Sequence, residues 1–451
     1  MPLTQLSRFG VLVFVAATVA STQAMPQPDP QAGAVAVTFN KDVLPILQKN
    51  CQVCHRPGEI APMSLLTYPD ARPWAKAMKA AVAKRQMPPW FADPAYGHFA
   101  HDRRLTDAEI ATFGAWADGG AVQGDAKDAP APVAFHDGWN IKPDMIVEMP
   151  RGFDVPAAGT VAYKNILVKG NFPEDVWISA AEMRAGNRQV LHHGRVLVRP
   201  PGAEFMKDAV PGEAYDTTSL AVVGKESPET LAKFNPGLGP QDFDQLESAK
   251  FVPKGSDLVF NLHYTAIGKA ATDRSRVGFV FTKKPPALRY LTHNGPAAIN
   301  LAIPPKDGNA EIVSEMTTNV DMKLVYVQPH MHLRGKDYEL RVVYPTGQME
   351  TVFKAKWDFN WQMGYDLQEP KPLPKGTRII GVAHYDNSAV NRFNPDPNAT
   401  VYWGDQNWDE MQNCFIGVLV DPKIDPASLF SPSGPSLLPR GTSGPTLSAL
   451  K

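Results

Sequence analysis

The chain of 451 residues carries 45 Lys+Arg against 46 Asp+Glu, a formal net charge of −1, which argues against a nucleic-acid or anionic-lipid surface as the main partner. Its 43% hydrophobic content excludes a disordered chain, and its 43 prolines, nearly double the usual share of about 5%, point to short strands and ordered loops rather than long helices. Three cysteines are too few for a disulfide scaffold, so their positions carry the information.

In chain order, Arg8 precedes the apolar run Phe9 to Ala17, and small residues lead to Ala24. This pattern predicts a signal peptide over 1–24, too short to span a bilayer, and hence a periplasmic or secreted mature chain without a membrane span. A Pro/Gln/Ala tether over 25–37 follows. Residues 38–125 read as helical: Val43, Leu44, Ile46 and Leu47 recur at helical spacing, 71–84 is Ala/Lys-rich, and Leu105-Thr106-Asp107-Ala108-Glu109 opens a capped run toward Trp116. A Pro/Ala linker covers 126–136. Beyond it the pattern alternates, as in 258–265, 324–328 and 378–385, which predicts strands. The tail 424–451 is rich in Pro, Ser and Gly and reads as irregular.

Cys51-Gln52-Val53-Cys54-His55 is a C-x-x-C-H run. Two thiols one helical turn apart attach a haem covalently, and the adjacent histidine ligates its iron. A reduced dithiol or half of a zinc site is the alternative, but only Cys414 is left as a further cysteine. Candidates for the sixth ligand are Met63, Met78, Met87, His98 and His101. Arg85-Gln86-Met87-Pro88-Pro89-Trp90 resembles the Met-Pro-Pro loop of small bacterial class I cytochromes c, and the run into Trp116 resembles their C-terminal helix. That resemblance selects Met87; core filling is the ordinary role of Met63 and Met78.

Seven histidines lie beyond Gly138. His330 and His332, two apart, share one face of a strand and can reach one metal. His192 and His193 are adjacent, so joint ligation requires a bulge or strand end. His263 lies on the polar side of its strand. Imidazoles suit copper, zinc, iron or nickel, and the thioether of Met411, behind Asp409 and Glu410, favours copper.

Here the chain resembles the copper type II, ascorbate-dependent monooxygenases, the group of peptidylglycine and dopamine hydroxylases. The resemblance runs over roughly 137–422. It implies one copper at His192, His193 and His263 and a second, catalytic one at His330, His332 and Met411. It also implies two antiparallel jelly-roll-like sandwich subdomains, at 137–283 and 284–423, behind the small all-α cytochrome c domain. The positions that bind a peptide carboxylate in the peptide-hydroxylating type are Gln328, Asn413 and Phe415 here. Only the Asn agrees, which argues against a peptide C-terminus as substrate. His293 and His384 match no ligand and read as satisfied core residues.

The function expected is an oxygen-dependent hydroxylation of an activated C–H bond in a small organic molecule. Electrons are supplied by ascorbate or a periplasmic redox protein, directly or through the haem. The competing expectations are a non-catalytic electron-transfer or copper-binding protein and, more weakly, a zinc hydrolase.

Overall fold

Thr106 and Glu109 satisfy each other at the start of the helix Asp107–Asp118. The Thr106 hydroxyl accepts the Glu109 N–H at 3.1 Å, and the Glu109 carboxylate accepts the Thr106 N–H at 2.7 Å, the reciprocal cap read from sequence. This helix packs with Leu44–Asn50 and Ala75–Ala83 around a core of Phe39, Leu47, Met78, Val82, Phe113 and Trp116. Met78 is therefore a core residue. The computed structural model describes residues 36–135, 138–216, 228–404 and 406–431. The leader, nearly all of the first tether, His136 and the tail beyond Ser431 lie outside the described residues. Among the described residues no helix is long and apolar enough to cross a membrane.

From Met145 onward the chain is mostly β-sheet. A nine-stranded sheet runs the length of this region. A five-stranded sheet containing Leu191–Arg199, Thr230–Phe234 and Asp257–Tyr264 packs on it, burying Val196, Phe260 and Leu262 against Ile178 and Phe279. A second five-stranded sheet, containing Gly335–Val343 and Arg378–Tyr385, buries Leu340 and Ile379 against Val327 and Ile416. The result is a pair of β-sandwiches that share one sheet. Hydrogen bonding crosses the sequence division at 283/284, because Ser248–Val252 pairs in parallel with Leu288–Asn294. The latter strand pairs antiparallel with Asn413–Val420, which in turn pairs with Met322–His330.

Residues 90–100 are stitched onto the second sandwich. The Asp93 N–H donates to the Lys354 carbonyl at 2.8 Å and the Ala100 N–H to that of Asp366 at 2.9 Å, while the Gln368 N–H donates to His98 at 2.9 Å. Trp90 and Ala92 are buried in the second core. The loop that follows Met87 thus ties the helical region to the sheets.

Candidate metal centres

Alternation along Leu191–Arg199 sends Gly194, Val196 and Val198 inward and leaves His193 and Arg195 on the opposite face. Along Asp257–Tyr264 it does the same, with Phe260 and Leu262 inward and Asn261 and His263 opposite. His263 stands directly across from His193, but Tyr264 faces Leu191, so His192 is the extra, unpaired residue of a bulge. The bulge turns two adjacent imidazoles to one side. His192 Nδ1 lies 3.3 Å from His193 Nδ1 and 3.5 Å from His263 Nδ1. Among the described residues, these three form the group of His, Cys, Asp or Glu side chains close enough to hold one ion.

Two of the remaining ring nitrogens are held from outside. His192 Nε2–H donates to the Asn360 carbonyl at 2.6 Å, which leaves its Nδ1 as a lone pair, and His193 Nε2 shares a hydrogen bond of 2.9 Å with the Tyr163 hydroxyl. The Tyr163 ring also stacks on His263, 4.3 Å between centroids and 13° between planes. Outer partners of this kind fix tautomer and ring orientation in metal sites. Burial lowers the pKa of all three histidines, that of His263 to about 4, so neutral imidazoles are available as ligands at neutral pH. An open cleft of about 480 Å³, bounded by Thr160, Val161 and Thr265, borders His263.

The second group is built the same way from other strands. His330 ends the strand Met322–His330 and faces Asn413, as Gln328 faces Phe415. These four share the face opposite Met331, Cys414 and Ile416, which are in the core. His330 Nδ1–H donates to Gln362 Oε1 at 2.9 Å, and the His332 ring is held by the Asp409 carbonyl, 3.3 Å from Nδ1, and by the Gln406 backbone. The rings are 5.3 Å apart and nearly perpendicular at 87°. Burial lowers their pKa to about 3 and about 4. Met411 is tied to the same place from both sides. Glu410 accepts the His332 and Arg334 N–H groups, and the Tyr385 hydroxyl donates to the Met411 carbonyl at 2.8 Å.

One loop touches both groups. Within Asp358–Gly364, Asn360 holds His192 while Gln362 holds His330, and the Gln362 carbonyl also accepts Gln328 Nε2–H at 3.0 Å. Gln362 is buried with φ of 43°, a conformation that costs free energy in a non-glycine residue. Gly364 lets the loop close, since any side chain there would collide with the Tyr326 hydroxyl. Sequence reasoning missed Tyr163, Asn360 and Gln362; none lies in a pattern that marks a ligand's partner.

Cys51, Cys54 and His55 lie together in the turn after Leu44–Asn50, with both thiols unpaired. Burial pushes the Cys51 thiol up to about 12 and raises that of Cys54. His55 Nδ1 is buried without a hydrogen-bond partner, so the ring has an unused buried polar atom beside two free thiols. That donor set fits a c-type haem. Met87 is half-buried on the loop after Ala75–Ala83. His293 donates to the Asn294 carbonyl at 2.5 Å and His384 pairs with Asp337 at 2.7 Å, and neither joins a metal group among the described residues.

No protein-family model matches the chain, and no curated protein matches it. Among solved structures it is similar to the major capsid protein P2 from bacteriophage PM2, at 9% identity and a TM-score of 0.25, over 61% of this chain and 97% of that one. It is also similar to the VP2 subviral particle of infectious bursal disease virus, at 10% identity and a TM-score of 0.17, over 66% of this chain and 76% of that one. Scores this low carry no argument about this chain.

Proposed function

We propose that the protein is an exported, haem-bearing copper monooxygenase. It would hydroxylate an activated C–H bond with one dioxygen, two electrons and two protons, giving the alcohol and water. The observation that carries the reading is the convergence of His192, His193 and His263 through Nδ1, with a second pair, His330 and His332, whose rings lie 5.3 Å apart and whose segment is fastened by Glu410, the residue before Met411. Their order and chemistry resemble the copper type II, ascorbate-dependent monooxygenases. Copper bound at these residues supplies one-electron transfer and dioxygen activation; the thioether favours copper over zinc.

The chain's own residues supply the rest. His192, His193 and His263 hold the electron-storing centre, and Tyr163 and Asn360 keep their rings in place. His330, His332 and Met411 hold the centre at which substrate reacts, positioned by Gln362 and Glu410. Cys51, Cys54, His55 and Met87 hold the haem. Electrons would come from ascorbate or a periplasmic redox partner, directly or through the haem, and one ionic contact joins the two regions concerned. Glu59, four residues after His55, pairs with Arg56 and with Arg188, four residues before His192. This ionic bridge lies between the segment that would hold the haem and the strand that would hold the first copper.

The test is oxygen uptake by the reduced, copper-loaded protein. Met411→Ile is expected to abolish oxygen-dependent product while leaving haem absorption intact. Equal uptake in wild type and variant would overturn the assignment of Met411, and no uptake in either would favour an electron-transfer or copper-binding protein.

A further inference from the structure

Pro236 and Gly237 set a tight turn against the C-x-x-C-H segment. In Asn235-Pro236-Gly237-Leu238 the Leu238 N–H donates to the Asn235 carbonyl at 2.9 Å, and Gly237 has φ of 77°. Proline followed by a residue at positive φ makes a type II turn, a conformation that glycine adopts without strain. The missing side chain also makes room, since a Cβ on Gly237 would stand 3.1 Å from Cys54 Sγ and 2.7 Å from Arg103 Nη1. Arg103 grips the turn, its Nη2–H donating to the Gly237 carbonyl. Burial raises the Cys54 thiol and Arg103 opposes that shift, so the guanidinium acts on the sulfur as well.

Two contacts between the C-x-x-C-H region and the first sandwich lead to one ligand strand. Three residues before Gly237, Phe234 stands opposite Gly194, which follows His193 on Leu191–Arg199. The other contact, from Glu59 to Arg188, ends four residues before His192. The second sandwich is met instead by 90–100, beyond Met87. A c-type haem is joined to its cysteines at the rim of the ring, so the Cys54 sulfur marks the edge from which an electron leaves. Electron tunnelling falls steeply across open gaps and less along bonded atoms. Bare backbone in contact with that edge keeps the gap small.

We propose that the turn 235–238 is the port through which single electrons pass from the haem to the His192, His193 and His263 group, along Gly237, Phe234 and Gly194, with Arg103 clamping the turn to Cys54. The step moves one electron: haem iron goes from ferrous to ferric, a cupric ion at the three histidines becomes cuprous, and no proton or covalent bond moves. Arg103 and Gly237 are positioning residues and ligate nothing. The port rests on the reading of the haem and copper centres given above, and it adds a direction, with the first copper centre filled from within the chain and the second only through the first.

Flash reduction of the full chain, loaded with haem and copper and kept free of oxygen, tests the port. A pulse puts one electron on the haem, and the absorbance of reduced haem then decays as the electron moves to copper. Gly237→Ala and Arg103→Gln are each expected to slow that decay several-fold, with Arg103→Lys between Arg103→Gln and wild type, while melting temperature and copper content stay at wild-type values. The haem midpoint potential should be unchanged in Gly237→Ala, which separates a widened gap from an altered driving force. His192→Ala/His193→Ala, which keeps the second copper, should lose the decay. No decay in the fully loaded wild type, a wild-type rate in both Gly237→Ala and Arg103→Gln, or a decay that survives in His192→Ala/His193→Ala overturns the proposal; the last would send the electron to the second centre through 90–100. Metal analysis of the same samples distinguishes these results from failure of the underlying reading, which would show as a chain without haem or without copper at its histidines.

Discussion

The Glu410 carboxylate accepts the backbone N–H of His332 at 2.7 Å and that of Arg334 at 2.6 Å. One buried side chain therefore fastens the His-x-His segment to the residue preceding Met411. Burial pushes this carboxyl up to about 8, opposed by the same N–H groups and by Arg334. Arg334, itself buried, is held by Asn387, Asn394 and the Trp408 carbonyl.

Glu410→Leu strands two buried N–H donors, at about 1–3 kcal/mol each. The expected result is a melting temperature several degrees lower and loss of one of two coppers, that at His330 and His332, with the other retained. Glu410→Gln keeps one acceptor and should fall between. Thermal melts paired with metal analysis check this; a Leu variant with unchanged copper would detach Glu410 from the site.

Acid should destabilise the metal-free protein through its buried histidines. Unfolded histidine titrates near 6.5, whereas burial holds His263 and His332 at about 4 and His330 at about 3. The folded state thus binds these protons less readily than the unfolded chain. The stability contribution is complete above pH 6.5 and is lost as pH falls through 4 toward 3. Melting temperature after chelation should be flat from pH 7 to 8 and decline below about 6. A profile that rises on acidification would contradict the neutral, buried state of these rings.

Glu59→Gln breaks the bridge between Arg56 and Arg188. Stopped-flow mixing with reductant should show haem reduction unchanged and the following copper reduction slowed. Equal copper rates in wild type, Glu59→Gln and a haem-free variant would remove the haem from the electron path.

Local signals were legible where one segment decides the structure. Thr106 and Glu109 announce their cap, and the period of two marks the strand Arg378–Tyr385. The adjacency of His192 and His193 demands the bulge that the register contains. What the sequence hid depends on partners far along the chain. Nothing near Asp93 signals its pairing with Lys354, and the sheet shared across 283/284 rests on a short parallel contact between Ser248 and Leu288. Asn360 acts through its backbone carbonyl, and Gln362 through a side-chain oxygen that a strained loop conformation delivers, and no local pattern announces either.

Metal analysis of the purified full chain tests the central claim most directly. Two coppers and one haem iron per chain are expected, with one copper retained after His192→Ala/His193→Ala. Zinc in place of copper, or fewer than two coppers after loading, would contradict the two-centre monooxygenase.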